Sequence, residues 1–328
     1  MQSRKTSADL WHQKPYYSLD AWCKNTYGRK LYKAALDIGC TCPNRDGTLD
    51  TRGCIFCSAG GSGDFAASRQ LSVTDQLNQA KALLSSKWTP EPGKPSLIAY
   101  FQAYTNTYGD PDRLLSCYEE ALSSPEVAGI SIATRPDCLS DIILEGLDRL
   151  QLLYPDRFIW IELGLQSIHD HTAARIRRGY PTSVFYDAAA KLHARRLPFI
   201  VHLILGLPGE TRLDLLESIR AVNQVHPFGV KLQLLHILKG TDLALLYEAG
   251  KLPVLTQEEY LDLLTSCIAA LSPDICLHRV TGDGPRKLLI APQWSLSKRN
   301  VLNGLHALMK QRNLRQGDNY EPGTSYTL

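Results

Sequence analysis

Four of the nine cysteines fall within residues 39–57, GCTCPNRDGTLDTRGCIFC. Cys54 and Cys57 form a CxxC, and Cys42 stands twelve residues before Cys54, with Cys40 beside it. Soft thiolate ligands at this spacing select zinc or an iron–sulfur cluster. Both readings stay open on spacing alone. A zinc ion would use all four thiolates, Cys40 included.

The elements that must carry this loop are legible as a strand–helix alternation. LYKAALDIG (31–39) reads as a first strand feeding the loop. SLIAYFQAY (96–104), VAGISIATR (127–135), RFIWIELGLQS (157–167), PFIVHLILGL (198–207) and GVKLQLLHI (229–237) read as five more. Near-continuous apolar runs are expected where helices cover both faces of a parallel sheet. Between them lie helical segments: LSVTDQLNQAKALLSS, one from Asp110-Pro111, SDIILEGLDRLQLL capped by Ser140, a short one reaching Arg178, and others from Ser183 and Arg212. The pattern predicts an α/β fold, a partial (β/α)6 TIM-like barrel over residues 31–240. A short lead-in (1–30) precedes it, and a small helical, basic extension (241–328) follows.

In such a barrel, chemistry belongs at the C-terminal ends of the strands. Those ends offer Gln102, Tyr104 and Thr105, then Thr134, Arg135 and Asp137, then Glu162 and Gln166. The fifth strand brings His202 and the turn Gly206, Pro208, Gly209 and Glu210. A carboxylate in an apolar strand is costly unless paired or ligand-bound, so Glu162 demands a partner. Tyr104 and His236 are the candidate substrate-side catalytic groups. The remaining cysteines, Cys23, Cys117, Cys138, Cys267 and Cys276, read as ordinary thiols.

The 44% hydrophobic and 21% charged content is that of a globular protein with a real core. The start, MQSRKTSADLWHQK, has no apolar signal region, and no apolar run approaches the roughly twenty residues of a membrane span. A reduced, cytoplasmic protein without membrane partners is expected. The net charge is only +3, but residues 285–316 contain no Asp or Glu while holding Arg286, Lys287, Lys298, Arg299, Lys310, Arg312 and Arg315. Lys24, Arg29, Lys30 and Lys33 form a second basic group. Such runs either footprint a phosphate backbone or coat a solvated helix face.

The cysteine segment, with its Cys-Pro-Asn-Arg-Asp-Gly run before Gly-Cys-x-Phe-Cys, resembles the radical S-adenosylmethionine (SAM) signature of the YtqA/YhcC family, relatives of the Elongator catalytic subunit. FQAYT, TRPD, ELGLQS, RIRRG, GLPGE, LHILKGT and a closing IAPQW resemble the same family in the same order, over roughly residues 30–295. The resemblance implies a [4Fe–4S] cluster held by Cys42, Cys54 and Cys57, with Cys40 surplus. Three protein thiolates leave one iron open for SAM, whose reductive cleavage releases a 5′-deoxyadenosyl radical. It also implies an electron donor such as a flavodoxin or ferredoxin. A more distant branch, the oxygen-independent coproporphyrinogen oxidases, places a Gln at the strand-four end and an Arg twelve residues later. Gln166 and Arg178 match that interval, and Arg178 would hold the methionine carboxylate of SAM. His202 stands where that branch has a ribose-binding Asp, and Phe56 where the adenine approaches. Gln102, Thr134 and Glu162 complete the expected cofactor-binding set.

The resemblance further implies a substrate, the tRNA wobble uridine, whose carboxymethylaminomethyl group at C5 would become aminomethyl. Hydrogen abstraction from the methylene between amine and carboxylate, loss of one more electron and hydrolysis of the resulting imine would release glyoxylate. Two other readings remain at this level: a radical SAM oxidoreductase on a small metabolite or porphyrin-like molecule, and a non-catalytic zinc-bearing RNA-binding protein.

Overall fold

The computed structural model describes residues 10–61, 63–84, 93–282 and 284–322. The first nine residues of the expected lead-in, the end of the LSVTDQLNQAKALLSS helix and the last six residues lie outside them. Parallel strands run in the order β1 (Tyr32–Leu36), β2 (Leu97–Phe101), β3 (Val127–Thr134), β4 (Phe158–Gln166), β5 (Phe199–Leu205), β6 (Gly229–Leu234), with β8 (Cys276–Arg279) added beside β6. Sequential parallel order with a helix in each crossover is the topology of a partial (β/α) barrel.

The chain divides into two compact units. The first comprises residues 29–164 and 183–199 and holds β1 to β3, most of β4, and the cysteine loop. Its core strands are dense: every residue of β2 is buried, and Ile130, Ile132, Ile161 and Leu163 are fully inaccessible. Burying such side chains is worth about 1.5–3 kcal/mol each. Helices α2 (Val73–Leu84), α3 (Pro111–Ser123), α4 (Asp141–Leu153) and α6 (Thr182–Ala194) belong almost entirely to this unit. The Ser140 hydroxyl accepts from the Ile143 amide at 3.4 Å, the N-cap that the sequence predicts.

The second unit comprises residues 10–28, 165–182 and 200–322 among those described. It contains β6, β8, nearly all of β5, and α5 (Asp170–Arg175), α7 (Arg212–Val225), α8 (Asp242–Glu248), α9 (Gln257–Ala270) and α10 (Lys298–Gln311). Thr211 and Thr256 close capping boxes with Asp214 and Glu259 at the starts of α7 and α9. Three features depart from the sequence reading. The lead-in holds a helix, α1 (Leu19–Tyr27), capped by Ser18 and ended by Gly28 at φ +69°. The sixth strand stops at Leu234, and Ile237–Leu238 (β7) instead pair antiparallel with Leu289–Ala291 (β9). The extension is therefore not only helical, since it supplies β8 and β9.

Candidate functional site

The cysteine loop is folded by its own backbone. The Arg45 and Asp46 amides donate to the Cys42 carbonyl at 2.7 and 3.2 Å, and the Gly53 amide donates to the Asn44 carbonyl at 2.7 Å. Arg45 then crosses the loop, its Nη2 donating to the carbonyls of Cys57 (2.9 Å) and Ser58 (2.7 Å). A Cβ at Gly53, φ +75°, would meet Arg45 Nε at 2.8 Å, so glycine permits both the left-handed turn and the crossing. Cys54 and Cys57 are linked by an amide-to-carbonyl bond of 3.1 Å.

Cys42, Cys54 and Cys57 are half-buried and affect one another, whereas Cys40 does not share their surroundings. The Cys54 thiol is drawn down to about 7, first by a hydrogen bond from Cys57 and against burial, with Arg135, Asn44 and Arg45 assisting. Cys57 moves well up, first through its hydrogen bond with Cys54 and then through desolvation. Cys40 is buried beside Arg113, Asp37 and Cys117, and burial pushes its thiol up to about 11. Two N–H donors sit against the other sulfurs. Asn44 Nδ2 lies 3.6 Å from Cys54 Sγ, and Arg135 Nη1 lies 4.0 Å from Cys42 Sγ.

The other predicted residues of this unit divide by what they touch. Phe56 is half-buried, while its neighbour Ile55 takes the core position. The Gln102 Nε2 atom is buried with no hydrogen-bond partner at the end of β2, as expected of a group awaiting a ligand. Thr134 is occupied by Thr107, whose hydroxyl is 2.5 Å away and continues to the Cys138 carbonyl at 2.7 Å. Tyr104, at φ +61°, lays its ring over Gly61 and donates its hydroxyl to the Ala59 carbonyl, so it pins the glycine-rich turn after the CxxC. Glu162 is fully inaccessible and answers its own burial problem: Ser131 donates at 2.6 Å and Lys33 at 3.0 Å.

In the second unit, Gln166 stands at φ +68° at the end of β4, and its Oε1 is buried without a partner. Arg178 is 2% exposed. Its Nε donates to Tyr180 O, Nη1 to Leu165 O (2.9 Å) and Ser167 O (2.7 Å), and Nη2 to Tyr180 O, Thr182 Oγ1 and Asp170. All five guanidinium hydrogens are thereby committed to the chain's own loop. The spacing that predicts a carboxylate contact is here spent on holding the segment after Gln166. Arg178→Lys should lower unfolding stability by about 2 kcal/mol in urea melts, because an ammonium cannot serve these acceptors as a planar fork does.

His202 lies opposite Lys231, itself buried, in the β5–β6 register. His236 is half-buried, 3.0 Å from Ser295 Oγ, with Gly282 packed so closely that a Cβ there would meet Cε1 at 2.3 Å. Burial first, then Lys298 and Arg279, pushes its pKa down to about 4. The folded state thus resists protonating it, and the stabilisation present above pH 6.5 is lost as pH falls towards 4. Over that window His236→Gln should flatten the stability profile by up to about 3 kcal/mol, measured by denaturation at stepped pH. Elsewhere, ligand atoms of His169, Asp214 and Glu217 lie within 4.8 Å of one another. His169 Nε2 is already 3.1 Å from the Asp214 carbonyl, and Asp214 caps α7, so local structure accounts for the group.

Arg135 is among the strand-end groups that the sequence offers, with no specific task attached, and Asn44 is not singled out there. The available signal was the Arg-Pro-Asp spacing, which lets Asp137 clamp the guanidinium through Nε (2.9 Å) and Nη2 (2.7 Å). Among the described residues, no helix is long and apolar enough to cross a membrane.

Comparison with known proteins identifies the chemistry. The radical SAM superfamily pattern matches residues 42–222, and the radical SAM C-terminal domain matches residues 227–311. YtqA of Bacillus subtilis (strain 168) is 40% identical over 305 residues, covering 93% of this chain and 92% of that protein. YhcC of Escherichia coli (strain K12) is 36% identical over 271 residues, 82% of this chain and 84% of the relative. Elongator complex protein 3 of Homo sapiens is 25% identical over 169 residues, 49% of this chain and 29% of that protein. Among solved structures, Elp3 of Methanocaldococcus infernus with an N-terminal deletion has a TM-score of 0.62 at 17% identity, over 75% of this chain and 61% of its own, a likeness of fold. The superfamily uses a [4Fe–4S] cluster and SAM, which decides between the two metal readings of the cysteine loop. With a superfamily match over more than half its length and relatives aligned along most of it, the chain belongs to the radical SAM enzymes, in the family of YtqA and YhcC.

Proposed function

We propose that the chain is a tRNA-modifying radical SAM enzyme converting carboxymethylaminomethyl-uridine at the wobble position to aminomethyl-uridine. Cys42, Cys54 and Cys57 are the proposed cluster ligands, supported by their shared environment and by the separate environment of Cys40. When bound, cluster and SAM supply a 5′-deoxyadenosyl radical that abstracts hydrogen from an unactivated C–H bond. Gln102 and Gln166, each with an unsatisfied buried polar atom at a strand end, are the proposed SAM contacts of their respective units. Arg178 keeps the segment after Gln166 in place rather than reaching the cofactor.

The observation that carries the RNA reading is the set of exposed basic side chains on residues 285–316, a segment without Asp or Glu of its own. Within it, Arg312 is paired with a neighbouring acid, Asp262, at 2.6 Å. Arg286, Lys287, Arg299 and Lys310 are exposed. On α10, Val301, Leu305 and Met309 face inward, while Arg299 and Lys310 share the outer face three turns apart, about 16 Å along the axis. Charge in a line on a rigid element suits a phosphate backbone, and a small metabolite would not need it.

The test is nucleoside mass spectrometry of tRNA from cells with and without the gene. Accumulation of carboxymethylaminomethyl-uridine on deletion is the expected result, and an unchanged profile would overturn the substrate assignment. In vitro, tRNA binding should weaken steeply with salt, and Arg299→Glu with Lys310→Glu should reduce both the affinity and that salt slope.

A further inference from the structure

We propose that Arg135, clamped by Asp137, and the Asn44 amide donate N–H···S hydrogen bonds to the cluster cysteines Cys42 and Cys54, and so set the reduction potential of the cluster. The inference rests on the reading that those cysteines are cluster ligands. Its geometry is specific. Asp137 takes Nε and Nη2 of the guanidinium at 2.9 and 2.7 Å, which turns Nη1 towards Cys42 Sγ at 4.0 Å. Asn44 Nδ2 approaches Cys54 Sγ at 3.6 Å. Arg135 is 8% exposed, so water screens its charge little.

The physical effect has one sign. Reduction adds an electron to the cluster and spreads negative charge over the thiolates. Hydrogen-bond donors and a nearby cation stabilise that form more than the oxidised one, and the potential rises. Asp137 offsets part of the charge from the far side of the guanidinium, but its larger role is orientation. Without that clamp, a long side chain would spread over several rotamers and the N–H would leave the sulfur. Arg135 is thus a positioning residue that acts through the thiolates. The radical chemistry requires a cluster that can be reduced by a cellular donor, which is where an upward adjustment matters.

The test uses full-length protein reconstituted anaerobically with iron and sulfide, and reads the midpoint potential by redox titration followed by electron paramagnetic resonance. At a fixed poise, Arg135→Gln is expected to lower the ratio of reduced to oxidised cluster about tenfold, a downward shift of about 59 mV for a one-electron couple. Arg135→Lys should recover part of it, because the charge remains. Asn44→Leu keeps the backbone bond to Gly53 and should give a smaller shift in the same direction. An unchanged midpoint in Arg135→Gln and Asn44→Leu, at full iron and sulfide content, would overturn the inference. Failure of both Arg135 variants to load a cluster would also overturn it, by assigning Arg135 to assembly. Absence of iron and sulfide from the unsubstituted protein would instead sink the ligand assignment beneath it.

Discussion

Cys42→Ala is expected to abolish cluster binding and SAM cleavage together, while Cys40→Ala leaves both near their original levels. The two residues are separated by a single threonine, so the contrast does not come from position in the chain. It comes from where the loop puts them. Cys42 belongs to the same group as Cys54 and Cys57, and Arg135 and Asn44 approach that group's sulfurs. Cys40 is buried beside Arg113, Asp37 and Cys117 rather than among those sulfurs. With two thiolates left, the cluster loses a third of its protein anchors, and chelation by the CxxC alone does not retain four irons. Iron and sulfide content, together with 5′-deoxyadenosine formed from SAM under dithionite, measures both effects. Retained 5′-deoxyadenosine in Cys42→Ala would show that the ligand set is wrong. Loss of iron in Cys40→Ala would restore a four-thiolate site.

How much of this was legible in the sequence varies with the physical cause. Strands β2 to β6 are mostly buried and largely apolar, and burial on both faces of a parallel sheet writes itself into composition, whereas β1 buries only Ala34 and Leu36. Strand β8 is four residues, Cys276–Arg279, half of them polar, and carries no such signal. The residues Leu235-His236-Ile237 continue the apolar character of β6, yet the backbone leaves the sheet there and pairs Ile237 with Ala291 instead, a tertiary choice that periodicity cannot register. The helix α1 was hidden by its aromatics, although Ser18 and Gly28 mark its two ends.

The site shows the same division. Spacing finds the cysteines, because a metal demands few residue types at short separation. The strand-end glutamines emerge because polar atoms at barrel mouths have few structural uses, and both keep an unpartnered atom. Arg178 shows the limit of interval matching. Its position fits a carboxylate contact, but the carbonyls of Leu165, Ser167 and Tyr180 consume it, and no sequence pattern displays backbone acceptors.

Lys33→Met is expected to destabilise the fold by about 3–5 kcal/mol, and more than Glu162→Gln does, although both changes break the same ion pair. Glu162 is wholly inaccessible, while the Lys33 side chain retains 21% of its exposure. Removing the lysine leaves a carboxylate in the interior with its 2.6 Å bond from Ser131 but without the ammonium at 3.0 Å. Removing the charge from Glu162 leaves an ammonium that still reaches water and rests 4.5 Å above the Tyr100 ring, where cation–π attraction offsets part of the loss. Glu162→Gln should therefore cost about 1–2 kcal/mol, the scale of one weakened buried hydrogen bond. The double variant should cost less than the sum of the two, since both single changes remove the same shared interaction. Urea melts of the four proteins measure the cycle. A cost for Glu162→Gln equal to or above that of Lys33→Met would mean that Glu162, not the pair, anchors the three strands, and would reopen a ligand-binding role for its carboxylate.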